Sequence, residues 1–351
     1  MSAITIQGRT IGEGHPTYII AELSANHGQD LEKAMALVRA ARAAGADAIK
    51  IQTYRPDTMT LDCDSELFRI QKGTIWEGRT LYSLYEEAHT PWEWHAPLQA
   101  LTESLGMHFF SSPFDATAVD FLEALSVPVF KIASFELVDL PLIRRVARTG
   151  KPMILSTGMA TLGEIHEAVE AARVAGAQEI ALLKCNSAYP APLEEMNLRT
   201  IPHLAQAFNV PVGLSDHTLG TTAPTVAVAL GACIVEKHFI LDRGEGGPDT
   251  AFSLEPAEFK AMVDSVRATE ALLGQVSYEV NDRERASTAF RRSLFVVEDI
   301  KAGEPFTEMN VRSIRPAGGL HTRYLELVLA SHASADTPRG TPLDWKHVRL
   351  S

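Results

Sequence analysis

Short apolar runs recur along the chain, separated by longer stretches in which apolar residues return every three or four positions. The short runs predict buried strands, and the longer stretches predict amphipathic helices packed on them. Strands are predicted at TYIIAE (17–22), DAIKIQT (47–53), MHFFSS (107–112), PVFKIA (128–133), PMILST (152–157), EIALLKC (179–185), PVGLSD (211–216) and ACIVEKH (232–238). Helices are predicted between them, as at DLEKAMALVRAARAAG (30–45) and TLGEIHEAVEAARVAG (161–176), with Asp30 as an N-cap and Gly45 and Gly176 as C-caps. Alternation argues a parallel sheet with helical crossovers, and eight units by about Phe239 argue that the sheet closes into an α/β (β/α)8 TIM barrel. A doubly wound open sheet is the rival, but no Gly-rich fingerprint follows the first strand.

Two segments break this rhythm. Residues 54–91 separate the second strand from its helix and carry Trp76, Tyr82 and Tyr85, which fits either a lid over the catalytic face of the barrel or a packed excursion with no such role. After a last helix at 256–274 the period stops. A barrel domain is therefore expected over 1–275, with ITIQGRTIG as a hairpin plugging its lower end. A charged linker follows at 276–290, and 291–351 reads as a small, mainly-β domain with Gly-Glu and Gly-Gly turns.

Hydrophobic residues make up 46% of the 351 and charged residues 22%, which is a soluble globular composition. No basic-then-apolar leader opens the sequence, and the longest apolar run, about 223–235, is too short for a membrane helix and contains Pro224. A cytoplasmic protein is expected. With 32 Lys and Arg against 44 Asp and Glu, the net charge of −12 argues against nucleic acid or a membrane as partner. Any anionic substrate must then be held by a few placed cations. Cys63, Cys185 and Cys233 are odd in number and widely spaced, which predicts buried free thiols in a reduced compartment.

Barrel enzymes carry their sites at the C-terminal ends of the strands. Here those ends hold Glu22, Lys50 with Gln52, Ser111 with Ser112, Lys131 with Ser134, Ser156 with Thr157, Lys184 with Asn186, Ser215 with His217, and Glu236 with His238. Residues two apart on a strand share a face, so Lys50 with Gln52, Ser215 with His217, and Glu236 with His238 can point into one cavity. Each buried polar group costs free energy without a partner, so packing alone does not explain this convergence. His217 and His238 on neighbouring strands suit a divalent ion such as Mn2+, Zn2+ or Fe2+. Of the other histidines only His27 lies near the predicted rim. Lys50, Lys131, Ser134, Ser156, Asn186 and Ser215 form a ring of cations and small donors suited to a phosphate and a carboxylate. Glu22 and Glu236 remain as acid/base or hydroxyl-binding groups.

The segments IIAELSANHGQDLEKA, ADAIKIQTY, FSSPFD, FKIASFEL, ILSTGMAT, LLKCNSAYP, GLSDHT, VEKHF and GPD…SLEP resemble the sialic acid (nonulosonic acid) synthase family over nearly the whole chain. AGEPFTEMNVRSIRPAGGL is similar to the antifreeze-like (SAF) domain that ends those synthases. The resemblance implies a transferase that condenses phosphoenolpyruvate with an N-acylated amino sugar. It implies a divalent cofactor, Mn2+ first and Mg2+ or Co2+ next, on His217 and His238. Phosphoenolpyruvate contacts would come from Lys50, Lys131, Ser134, Ser156, Asn186 and Ser215. Glu22, Lys50, Gln52 and Glu236 would stand near the reacting carbons, with Glu22 as acid/base. Asp249 and Arg315 would bind the sugar, Arg315 across a domain-swapped homodimer. Thr250 after GPD, where the N-acetylneuraminate and legionaminate enzymes are expected to carry His, together with DRGEGGPD, resembles the pseudaminic acid branch. The rivals are a neuraminate or legionaminate synthase, a Schiff-base barrel lyase, and a non-catalytic binding module.

Overall fold

The structure, a computed structural model, describes every residue except 1, 2, 72, 74 and 351. The chain divides into two compact units, Met1–Gly274 and Gln275–Ser351.

The first unit opens with an antiparallel hairpin, β1 (Ile4–Ile6) and β2 (Arg9–Ile11). Eight parallel strands follow: β3 (Tyr18–Glu22), β4 (Ala48–Thr53), β5 (His108–Pro113), β6 (Phe130–Ile132), β7 (Met153–Ser156), β8 (Ile180–Cys185), β9 (Val212–Asp216) and β10 (Ile234–His238). They close in sequence order, with β10 pairing β3, into the barrel that the alternation predicts. Seven of the strands lie within the predicted runs and β5 extends one residue past its run, to Pro113; β6 is trimmed to three residues behind Pro128, which has no N–H to give a ladder. Apolar side chains fill both faces of the strands, as in a sheet covered by helices, and form one continuous core.

The helix Leu31–Ala43 is capped by Asp30, whose side chain accepts from Glu32 N and Lys33 N. Its C-cap is Ala44 rather than Gly45. Gly45 is the next residue, at φ +97°, and Ala46 N donates back to Ala41 O. That closure needs a left-handed residue one place beyond the cap. Leu162–Val174 ends the same way, with Ala175 as C-cap and Gly176 at φ +114°.

The hairpin buries Ile4, Ile6 and Ile11 in the barrel core. Thr5 N donates to Glu179 Oε1 at 2.7 Å, and Arg9 pairs with Asp47 at 2.6 Å. Those acids immediately precede β8 and β4, so the hairpin closes the N-terminal end of the barrel. The opposite end is left for chemistry.

In the second unit β11 (Ser293–Val296) pairs β12 (Val311–Ile314), and β13 (His332–Ala333) pairs β14 (Val348–Arg349), both antiparallel. Leu294, Val296, Ile300, Phe306, Val311, Val328, Ala333 and Leu343 form its own small core. The stretch expected as a linker carries a short helix, Asp282–Arg285, and a 3-10 turn, Ala286–Phe290, both largely exposed.

Candidate active site

Pleat alternation decides which side chains of β3, β4, β6, β9 and β10 enter the barrel. Glu22 lies level with Lys50 and with His238, and Glu236 lies level with Ser215. Their side chains meet in one buried cluster. Lys50 Nζ contacts Glu22 Oε2 and lies 3.7 Å from Glu236 Oε1, and Lys131 Nζ lies 3.9 Å from that same oxygen. Lys131 donates to Ser156 Oγ at 2.7 Å, Ser215 Oγ donates to Glu236 Oε1 at 3.2 Å, and Lys50 reaches Ser112 Oγ at 3.5 Å. None of the four charged residues is more than 5% exposed.

Two ammoniums and two carboxylates balance in charge, but not in hydrogen bonds. Glu22 Oε1 and Glu236 Oε2 are buried without a hydrogen-bond partner. Burial pushes the Glu22 carboxyl up to about 7, although Lys50 opposes it. Glu236 goes the other way, because Lys131 and Lys50 outweigh the effect of burial and hold it below the ordinary value. One carboxyl therefore keeps a proton near neutrality while its neighbour is ionised, as acid and base roles in one site require. Burial lowers the Lys131 ammonium, whereas at Lys50 the two carboxylates outweigh burial and raise it.

The imidazoles of His217 and His238 lie beside this cluster with ring centroids 5.4 Å apart. His217 Nδ1 donates to Asn186 O at 2.8 Å, so Nε2 is the nitrogen left to face the cluster. Burial opposes the charge on this ring, but Cys185 and the Asn186 carbonyl outweigh it and raise its pKa, so a metal ion there would have to displace a proton. His238 Nδ1 is buried with no partner. Burial, and then the neighbouring charge of His217, hold that ring neutral, far below its ordinary pKa. One neutral ring with an unpartnered nitrogen and one ring oriented through its far nitrogen are donors suited to a divalent ion. Among the described residues no group of three or more His, Cys, Asp or Glu is arranged to hold an ion. An ion held here would take two nitrogens from the protein.

Asp216 and Lys237 alternate with these ligands on the other face of β9 and β10. Lys237 Nζ donates to Asp216 Oδ2 at 2.7 Å, with both side chains fully buried, and also contacts Thr218 O.

A cavity of about 420 Å3, within the range of small-molecule sites, opens beside His238, Gln52 and Ser134 and is not lined by the four charged residues of the cluster themselves. Gln52, Ser134, His238 and Asp249 line it, together with Ser24 and Glu136, which the strand-end reading missed. Gln52 Nε2 donates to Ser24 Oγ at 3.0 Å, and that hydroxyl donates to the Asp249 carboxylate. Ser134 Oγ accepts from Gly158 N at 3.2 Å. A Cβ on Gly158 would stand 2.2 Å from Ser187 Oγ, so only glycine lets the backbone approach these hydroxyls. Burial pushes the Glu136 carboxyl up to about 7 and leaves its Oε2 unpartnered. The 54–91 segment, which folds into short helices at Pro56–Met59 and Leu81–Ala88, forms one wall of the cavity.

Asn186, Lys184 and Cys63 depart from expectation. Asn186 reaches the site through its backbone carbonyl, because its amide caps the following loop at Ala188 N and Glu195 O. Lys184 stays outside and bonds Cys185 O; on β8 the pleat turns Cys185 inward, 3.9 Å from His217 Nδ1. His27, by contrast, takes no part in the cluster, as expected of the remaining histidines: it is a core residue bonded to Thr90 Oγ1 and Gln29 N and pushed down to about 4 by burial. Cys63 is half-buried rather than buried; all three cysteines are free. Arg315 lies exposed in the second unit.

Residues 37–278 match the family model described as the NeuB family, and 291–349 match the SAF domain. The chain is 47% identical over 332 residues to the pseudaminic acid synthase of Campylobacter jejuni (serotype O:23/36, strain 81-176), covering 95% of this chain and 96% of that one. It is 45% identical to the pseudaminic acid synthase of Helicobacter pylori, over 96% of this chain and 99% of that one. The crystal structure of N-acetylneuraminic acid synthetase from Leptospira borgpetersenii, in complex with citrate, superposes with a TM-score of 0.73 at 31% identity, covering 82% of this chain and 95% of that one.

Proposed function

Since this chain belongs to the NeuB family, we propose that it condenses phosphoenolpyruvate with 2,4-diacetamido-2,4,6-trideoxy-β-L-altrose and water, giving pseudaminic acid and phosphate. The observation that carries this reading is the placement of two buried lysines and their serine partners beside a pair of imidazoles at the C-terminal end of a barrel.

Lys50, Lys131, Ser134, Ser156 and Ser215 hold the phosphate and carboxylate of phosphoenolpyruvate, and the Asn186 carbonyl orients His217. Two fixed ammoniums in a chain of net charge −12 supply the local attraction an anion needs. Asp249 and Gln52 position the sugar, joined by Arg315 from a second copy. His217 and His238 would hold a divalent ion, Mn2+ first and Mg2+ or Co2+ next, which polarises the sugar's aldehyde oxygen. Confinement beside the lysines brings the methylene carbon of phosphoenolpyruvate to that aldehyde in near-attack geometry. A C–C bond forms there, water adds to the adjacent carbon, and the C–O bond to phosphate breaks. Glu22, with a carboxyl that titrates near neutrality, moves the protons: one to the new hydroxyl and one from the added water. Glu236 stays ionised and holds the two lysines in place.

A homodimer is part of the proposal, supported by strongly exposed apolar side chains at Leu272, Val276, Tyr278 and Phe290. So is a cytoplasmic setting; among the described residues no helix is long and apolar enough to cross a membrane. The test is phosphate release from phosphoenolpyruvate across a sugar panel, with Mn2+ and again with EDTA. Release with the altrose derivative and metal is expected. Release with N-acetylmannosamine or the legionaminate precursor instead moves the chain to a neighbouring acceptor, and no release with any sugar overturns the condensation.

A further inference from the structure

The cavity is chemically lopsided. Its floor is polar, but Met59, Ile70, Trp76, Leu81, Leu84 and Tyr85 of the 54–91 segment build an apolar wall along one side. Tyr54 extends that wall inward, with its ring 5.8 Å from Tyr85 and 5.2 Å from Phe114 in edge-on contacts. Burial raises both tyrosine hydroxyls well clear of neutral pH, so the wall carries no charge there. Trp76 Nε1 donates to Pro248 O at 2.8 Å, which ties the wall to the residue preceding Asp249. A sugar bearing only hydroxyls has no use for such a surface, since each would lose water there without a partner.

We infer that this wall is a subsite for the methyl groups of the acceptor: those of its acyl substituents and the 6-deoxy carbon. The wall selects among acceptors and leaves Lys50 and Lys131, which do not line the cavity, alone. The inference rests on the condensation reading above and adds the residues that choose the sugar. Each methyl withdrawn from water against the wall is worth about fourfold in affinity.

The test uses Ile70→Ala and Leu81→Ala, singly and together, in the full chain with metal. Both side chains are only half-buried, so truncating them disturbs the packed interior less than a core substitution would. The double variant is expected to raise KM for the diacetamido 6-deoxy sugar about tenfold, with KM for phosphoenolpyruvate unchanged within about twofold. On the diformamido analogue, which lacks both acyl methyls, the same variant should lose much less. Equal losses on both sugars, or a matching rise in KM for phosphoenolpyruvate, overturn the inference. Should the variants fail to fold, the wild-type protein decides by itself, because losing two acyl methyls at about fourfold each must raise its KM about 16-fold. Turnover of the legionaminate precursor in place of the altrose sugar keeps the subsite and overturns the acceptor assigned above, since both sugars carry these methyls. Turnover of N-acetylmannosamine alone overturns the subsite, and no turnover with any sugar overturns both.

Discussion

Lys237→Met tests the ion pair behind the site. Lys237 and Asp216 are both fully buried, and the Lys237 ammonium, lowered by burial, is held by the Asp216 carboxylate 2.7 Å away. Methionine matches the stem of lysine and removes only the charge. It leaves the Asp216 carboxylate buried with two remaining donors, Thr218 N at 2.9 Å and Thr218 Oγ1 at 3.2 Å. Breaking one side of a buried pair costs about 3–5 kcal/mol, and the surviving bonds place this case near the lower end. For a unit of this size the loss corresponds to a fall in Tm of about 6–12 °C. Three of the four tryptophans (Trp76, Trp92 and Trp94) lie in the barrel unit, so fluorescence-detected unfolding in a Trp345→Phe background reads that unit alone. Adding Asp216→Leu should restore most of the loss, because two apolar side chains fill the space without a stranded charge. A fall below about 2 °C, or a double variant that drops further, would refute the argument.

Ionising Glu22 should weaken the fold. The folded carboxyl keeps its proton to about pH 7 against an ordinary 4.5, so stability is full below pH 4.5 and declines as pH rises through 7. Relative to Glu22→Gln, the wild-type protein should lose on the order of 3 kcal/mol across that window in urea titrations, and a pH-independent difference contradicts the shift. His217→Ala should abolish both metal-dependent turnover and Mn2+ retained after gel filtration; retained metal removes His217 from the ligand set. Arg315→Ala and Lys50→Met should each be inactive alone, yet mixed and re-equilibrated they should recover about a quarter of wild-type activity through heterodimers. No recovery from a mixture shown to exchange subunits places Arg315 outside its partner's site.

The barrel was legible because its signals are periodic. Eight apolar runs between helical stretches mark the strands, and a period of two aims Glu22, Lys50 and Glu236 into one space. Legibility stops where the period stops. Glu136 sits in the 3-10 turn Phe135–Val138, past the end of β6, where spacing no longer says which way a side chain points. Cys185 reads as a buried hydrophobe, yet its strand position aims it at His217. Asn186 looks like a donor to a ligand, but its amide caps its own loop, a local competition that residue identity does not reveal. The apolar wall joins Trp76 to Pro248, 172 residues away, and no local pattern links the two.

Residues 54–91 are fastened to the rest of the barrel unit partly through polar contacts at their margins. Gln29 Nε2 donates to Glu87 O and His89 O, and Trp76 donates to Pro248 O. The lysines proposed to hold phosphoenolpyruvate are borne by strands in the core, where a change in side-chain volume is felt by the packed neighbours. Inheritance can therefore act on the two parts at different speeds. Substitutions in the segment meet the tolerance of surface loops, and those in the strands meet the intolerance of a packed interior. A lineage could exchange one acceptor for another by rewriting this single stretch while the carbon–carbon bond-forming machinery stays as it was. A chimera carrying 54–91 from a relative with a different acceptor would show that separation directly: sugar preference would move with the segment, and the KM for phosphoenolpyruvate would not.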